Sequence, residues 1–273
     1  RSIVGSVKMC IRDRNNMKVL VTGHNGFIGR NLIEWMLAED WMVDGWDIKD
    51  ENLPTVSDYQ WVIHLGARTK FTDTEDILSK NYDFSKWLFK ECQKHEVHFQ
   101  YASCYQVYGQ IKDYSEFSIC APQTTIAWSK YMFDRWVFNQ RINNSFVQGF
   151  RYFDVYGKYQ NNKISNWINQ ARTTGEINVS TNAEFIKHDW VWVGDVCKLH
   201  IDFIKSVRGS GLWNVGSGLS HSDMDIIEEI AIRENSVIKL IEDKVLSTKI
   251  CADLTYLKAT IGKRKWLNVF EWL

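Results

Sequence analysis

A doubly wound parallel α/β sheet with a smaller C-terminal lobe is the fold class that this 273-residue sequence predicts. A short β-branched run, Val19-Leu20-Val21-Thr22, leads into glycines at 23, 26 and 29 and then an amphipathic stretch. Beyond it, strand-like apolar runs alternate with helix-period segments, as parallel strands joined by crossover helices do. Past Tyr156 the pattern turns irregular and polar, Lys158 to Asn162, as for a lobe outside the sheet.

Taken in order, Gly23 permits the tight turn out of the first strand and Gly26 removes a side chain where a pyrophosphate must approach. Gly29 lets the following helix pack close, and the helix N-terminus offers free N–H groups to an anion. Ile28, Leu32, Ile33, Met36 and Leu37 recur at helical spacing, with Glu34 and Glu39 off that stripe. Trp41 to Asp47 reads as the second strand. Asp47 falls eighteen positions past Gly29, where a carboxylate can accept both hydroxyls of an adenosine ribose. It favours NAD over NADP, whose 2′-phosphate would meet a negative charge, while Arg30 and Lys49 keep NADP open. Trp61 to Ala67 is a buried strand ending in small residues where a cofactor can pass. Asn81 to His95 is a helix, Val97 to Cys104 a strand, Ala127 to Asn139 a helix and Ser145 to Phe153 a strand. Trp190 to Val196 resumes apolar character ahead of a helix over Cys197 to Ser206, and Leu212 to Gly218 is a further strand and turn. The dinucleotide-binding domain is therefore expected over 17–155, with 190–206 returning to it, and the substrate lobe over 156–273.

Composition narrows the function classes. With 45% hydrophobic residues the chain can bury a sizeable core, and 33 basic against 33 acidic residues leave no net charge and no basic stripe to call for nucleic acid. Thirteen tryptophans lie inside apolar periodic segments, which points to core packing. Cys10, Cys92, Cys104, Cys120, Cys197 and Cys251 are widely spaced without a C-x-x-C pair, as for reduced thiols in a cytoplasmic protein. His95 and His98 form an H-x-x-H without acidic or cysteine partners in register, so no metal site is expected. No apolar run reaches the roughly twenty residues that span a bilayer. Arg1 to Asn16 lack a period and are expected to be an extraneous, disordered leader; a last helix after Trp266 is expected to be incomplete.

The glycine loop, Ile63-His64-Leu65-Gly66-Ala67, Tyr101-Ala102-Ser103-Cys104 running to Val107-Tyr108-Gly109, Trp128-Ser129-Lys130 and Trp192-Val193-Gly194-Asp195-Val196 together resemble the extended short-chain dehydrogenase/reductases, the Rossmann-fold enzymes of nucleotide-linked sugars. The resemblance covers Met17 to about Leu257. Gly149-Phe150-Arg151-Tyr152-Phe153-Asp154-Val155-Tyr156-Gly157, with Lys163 six residues on, resembles the branch that epimerises ADP-linked heptoses at C6 for lipopolysaccharide. It implies a tightly held NAD or NADP that takes hydride from the sugar and returns it to the other face, and a homo-oligomer. Cofactor contacts are expected at Gly23, Gly26, Phe27, Ile28, Gly29, Asp47, Ile48, Leu65, Gly66, Ala67, Asn81 and Lys130. Catalytic roles fall to Lys130, Cys104 and Lys163, and substrate contacts to Asp154, Lys163 and His188.

The pattern breaks at the chemistry. The family's catalytic tyrosine stands four residues before the lysine, one helical turn away, and here that residue is Ile126. Tyr131, the residue after Lys130, points about 100° away from it on a helix. The family's Ser or Thr is Cys104, a weaker donor; its Asn is Asp154 and its Arg near the nucleotide is His188. The thirteen residues from Ile48 to Gln60 are too few for the usual helix, strand and helix, so the sheet is expected to lose a strand and open at the adenine end. Two readings stand beside an impaired epimerase: another nucleotide-sugar epimerase, dehydratase or reductase, and a binding protein whose catalysis has decayed. A dehydratase would carry an Asp-Glu pair between the Ser/Thr strand and the lysine helix, whereas Asp113 and Glu116 only flank a turn.

Overall fold

The computed structural model describes residues 17–50, 52–70, 73–111, 113–142, 144–207, 209–243 and 247–273. The expected leader, with Cys10, lies outside the described residues.

Strand β1 (Lys18–Thr22) turns into helix α1 (Phe27–Ala38), and β2 (Met42–Trp46) follows. Between β2 and β3 (Trp61–His64) the only regular element among the described residues is one 3-10 turn, Val56–Asp58. Helix α2 (Thr74–Leu78), a π-helical turn over Ser79–Asp83 and α3 (Phe84–Lys94) then run end to end. Asp73 starts that run by accepting the Asp76 N–H at 2.7 Å. Next come β4 (His98–Cys104), a 3-10 turn Tyr105–Tyr108, α4 (Thr125–Phe138) and β5 (Val147–Tyr152).

The chain then leaves the sheet through β6 (Asp154–Tyr156), α5 (Lys163–Thr174), β7 (Glu176–Ser180), β8 (Ile186–His188) and β9 (Trp190–Trp192). It returns through α6 (Val193–Ser206) and β10 (Gly211–Val215), and leaves again through β11 (His221–Ser222), α7 (Asp223–Glu234), β12 (Val237–Ile241) and β13 (Thr248–Lys249). Helices α8 (Thr255–Ile261) and α9 (Val269–Trp272) close the chain.

Six strands pair in parallel in the order β10-β5-β4-β3-β1-β2. Alternate side chains feed opposite faces, as the period of two requires. Val19, Val21, Trp61 and Ile63 join Leu32 and Met36 of α1 and Cys197 and Ile201 of α6 on one face. Leu20, Val62 and Phe99 join Leu88 and Phe89 of α3 and Phe133 and Val137 of α4 on the other. Both faces are covered, and the sheet is doubly wound as its sequence pattern predicts. Phe150 in β5 has no exposed surface; burying a side chain of that size contributes about 1.5–3 kcal/mol.

Tryptophans at 41, 61, 167, 190 and 213 are buried, whereas Trp87 and Trp128 are exposed. The lobe has its own core of Ile164 and Trp167 from α5, Ile226, Ile227 and Ile230 from α7, and Val269. One boundary differs from expectation. Residues 211–215, assigned above to the lobe, pair with β5 from Gln148 to Tyr152 and form the sixth sheet strand. Their apolar run carries no mark of which partner it will find. The missing strand beyond β2 agrees with the short connector, so Met42 and Gly45 sit exposed on a sheet edge.

Candidate active site

At the carboxyl end of β1, Gly23 adopts φ +75°, and a Cβ there would stand 2.5 Å from Gly66 N. A Cβ at Gly29 would meet Gly23 O at 2.3 Å. These two glycines are fixed by packing: one by the turn against β3, the other by the close approach of α1. Gly26 differs; it is exposed, and the nearest atom to an added Cβ is Gly23 O at 3.1 Å. It precedes α1 without a side-chain cap, and the first turn carries no acidic residue. The N–H groups at Phe27, Ile28 and Gly29 precede any intrahelical acceptor, as the first turn of a helix requires.

Beside this cradle, the Gly23 N–H donates to Trp46 O at 2.8 Å and ties the turn to β2. The His24 ring lies on Gly45, where a Cβ would come within 2.5 Å of its Cγ. The Asp47 N–H donates to Asp50 Oδ2 at 2.6 Å, which sets the turn after β2. Among the described residues the Asp47 carboxylate itself takes no hydrogen bond or ion pair, and Ile48 next to it is exposed. The Arg30 guanidinium lies over the Tyr159 ring, 5.7 Å from its centroid. After β3, Leu65, Gly66 and Ala67 continue to Arg68, whose backbone is held at both ends by Asn81. Asn81 Oδ1 accepts the Arg68 N–H at 2.6 Å and its Nδ2 donates to Arg68 O at 3.0 Å and to Ser129 Oγ at 3.2 Å. Asn81 therefore shapes the cradle through the chain it holds.

Helix α4 starts at Thr124, whose hydroxyl accepts the Ala127 N–H at 3.2 Å. Lys130 is 9% exposed and its Nζ donates to Ala102 O at 2.8 Å. Burial lowers its pKa, opposed by Cys104 and Asp134. Burial also pushes the Cys104 thiol up to about 11, against the pull of the Lys130 ammonium. Cys104 is thus an S–H donor at neutral pH. Ile126, partly exposed one turn before Lys130, presents hydrocarbon where the motif needs a phenol. Tyr131 turns edge-on to Trp128, ring centroids 5.9 Å apart. Behind the strand end, Ser103 Oγ and Arg151 Nε each donate at 3.0 Å to Asp134 Oδ2, anchoring α4 to β4 and β5.

A second group brings Lys163, His188 and Asp154 together and adds Asp223. Lys163 opens α5 behind a capping box in which Asn162 and Ser165 exchange bonds. Its Nζ lies 2.9 Å from Asp223 Oδ2 and 3.2 Å from His188 Nε2. His188 Nδ1 lies 2.8 Å from Asp154 Oδ2. The lysine can only donate, so Nε2 accepts from it and Nδ1–H donates to Asp154. Asp223 is the first residue of α7, with its side chain 6% exposed. An acid in a first helical turn is ordinary, and no local signal ties it to a lysine sixty residues away. Tyr105 connects the two groups: it follows Cys104, stacks on Phe153 at 5.3 Å, and has its phenol pKa raised by burial and by Asp154.

His98 Nδ1 accepts the Phe146 N–H at 3.0 Å, and among the described residues no three His, Cys, Asp or Glu side chains converge as metal ligands. No helix among them is long and apolar enough to cross a membrane.

A family model described as the NAD dependent epimerase/dehydratase family matches residues 19–216. Three solved structures share the fold. The ADP-L-glycero-D-manno-heptose-6-epimerase of Helicobacter pylori is 20% identical at TM-score 0.83, covering 94% of this chain and 93% of its own. TunA, an NAD dependent NDP-hexosamine 5,6-dehydratase of tunicamycin biosynthesis, is 23% identical at TM-score 0.82, covering 94% and 95%. The UDP-glucose 4-epimerase of Thermus thermophilus, in complex with NAD, is 23% identical at TM-score 0.77, covering 94% and 96%.

Proposed function

Since the chain belongs to the NAD dependent epimerase/dehydratase family, we propose that it is a nucleotide-sugar epimerase using NAD or NADP, with an ADP-linked heptose inverted at C6 as its substrate. The carrying observation is the pair of proton-handling groups, Lys130 beside Cys104 and Lys163 within the Asp154–His188–Asp223 cluster. Oxidising and then re-reducing one carbon takes a proton off its oxygen and returns it, and these two groups, one at the β4 end and α4, the other on α5 with β6, β8 and α7, are the candidates to serve that transfer. The open amides of α1, the packed turn at Gly23 and the unpaired Asp47 carboxylate fit a dinucleotide, its pyrophosphate on the helix and its adenosine ribose on Asp47. The nicotinamide, when bound, supplies the hydride acceptor and donor.

Within that arrangement Lys130 places a cation beside the reacting oxygen and the cofactor ribose. The Cys104 S–H donates to that oxygen, and Lys163 in its amine form takes the hydroxyl proton as hydride departs and returns it when the ketone is reduced. A dehydratase is disfavoured, because the turn directly after β4 carries Tyr105 and Gln106. Of the nearby acids, Glu116 Oε1 accepts the Asn214 N–H at 2.7 Å and Asp113 Oδ2 accepts the Ser118 hydroxyl at 3.1 Å.

Ile126 favours a second reading, a dinucleotide- and sugar-nucleotide-binding protein that no longer turns over. Turnover of ADP-heptose by the chain and by Ile126→Tyr separates them. Product from the restored tyrosine alone supports an impaired epimerase. Cofactor binding without product from either variant selects the binding protein or another sugar nucleotide.

A further inference from the structure

Five buried polar side chains tie together the β1, β3 and α4 segments that flank the dinucleotide cradle, and none of them enters the proton chemistry above. Thr22 Oγ1 lies 2.6 Å from His64 Nδ1, and His64 Nε2 lies 2.8 Å from Ser85 Oγ. Ser85 Oγ donates to Asn81 O at 2.7 Å, Asn81 Nδ2 donates to Ser129 Oγ, and Ser129 Oγ donates to Ile126 O at 2.7 Å. None of the five is more than 2% exposed. Thr22 immediately precedes Gly23, His64 immediately precedes Leu65, Asn81 holds Arg68, and Ser129 immediately precedes Lys130.

The directions of the bonds follow from proton counting. Ser85 has one hydroxyl proton and gives it to Asn81 O, so it accepts from His64. Nε2 of His64 therefore carries the hydrogen, and Nδ1 accepts from the Thr22 hydroxyl. We propose that His64, fixed in this single tautomer, is the positioning residue of the cofactor cradle, setting the Gly23 turn and the Leu65–Ala67 segment against the Lys130 helix. The assignment rests on the dinucleotide reading. A rigid ring with an acceptor on one edge and a donor on another suits a bridge between two hydroxyls on separate elements. Burial pushes His64 down to about 3, with the Lys130 ammonium adding to the effect, so the bonding pattern holds through the neutral range.

Three substitutions divide the bridge. His64→Asn keeps an acceptor for Thr22, His64→Gln keeps a donor for Ser85, and His64→Leu keeps neither. With each variant shown to be folded by near-ultraviolet circular dichroism, NAD affinity is read by tryptophan fluorescence. About tenfold weaker binding is expected for the first two and a larger loss for His64→Leu, since each leaves buried groups unpaired. Thr22→Val, made at the far end, should speed hydrogen exchange at the Arg68 amide, which bonds to Asn81 and not to Thr22. A merely structural role would lower the thermal midpoint of the variants while leaving NAD affinity within about twofold of the native chain and Arg68 exchange unchanged, and that result overturns the proposal. If the native chain binds neither NAD nor NADP, the dinucleotide reading falls by itself, and Arg68 exchange in Thr22→Val and His64→Leu still decides whether the bridge positions the cradle.

Discussion

Ile126 is the residue on which the chemistry turns. It lies one turn before Lys130 on α4, so a tyrosine placed there shares a face with the ammonium that would ease its deprotonation. Restoring a general base is expected to raise ADP-heptose turnover by about 10²–10⁴; a null result in a protein that binds cofactor selects the binding protein or another sugar nucleotide. Cys104 makes a second test. Its thiol titrates near 11, so thiolate is scarce at pH 7, and alkylation by iodoacetamide should accelerate steadily as pH rises toward that value. Fast labelling of Cys104 at pH 7, read by mass spectrometry, would contradict its role as a proton-bearing donor. In the second group, Asp223→Asn is expected to cut turnover of the Ile126→Tyr enzyme while sparing cofactor affinity, because among the described residues the polar partners of its carboxylate are Lys163 and His188. Asp154 and Lys163 stand out in the sequence through one motif and its spacing, and His188 through a separate position where the resemblance has an arginine. Asp223 does not, since its partner is set by how α7 packs on α5.

The elements that hold these residues were legible wherever a backbone constraint shows in the sequence. Gly23 is the clearest case: its positive φ and the 2.5 Å approach to Gly66 N admit no side chain. Gly23→Ala is expected to destabilise the fold by about 1–3 kcal/mol in denaturant titrations. Gly26→Ala should cost less stability than Gly23→Ala and weaken NAD binding, because its Cβ meets one backbone atom, Gly23 O at 3.1 Å, and otherwise projects from an exposed position. A reversed order of the two effects would mean that the cradle is misassigned. The helix expected to begin at Asn81 is instead a π-helical turn running into α3. Apolar spacing in α3 is blind to one extra residue in the turn before it, yet that turn carries Asn81 inward to Arg68 and Ser129. Likewise β10 was readable as a strand, but its pairing with β5 is a tertiary choice.

At the scale of the molecule, buried histidines couple the fold to acidity. His64 and His200 are both pushed down from 6.5 to about 3 by burial. The unfolded chain takes up their protons below 6.5 and the folded chain does not, so their contribution is complete above 6.5 and is lost as pH falls toward 3. Each should cost about 2 kcal/mol by pH 5. His200→Gln is expected to flatten the fall in stability between pH 7 and pH 5 by up to about one proton, measured by urea denaturation; an unaltered slope would show that His200 already titrates normally. The threading of the chain has a further consequence, for its birth on the ribosome. Strand β5 ends at Tyr152, but its outer partner β10 begins only at Gly211, after much of the lobe has been made. Until then β5 is a bare margin whose residues are all buried only in the finished fold, able to recruit a neighbouring nascent chain. Protein made faster than the lobe can fold should therefore be lost to aggregates seeded at Val147–Tyr152, a hazard that chaperone supply or slower synthesis would relieve.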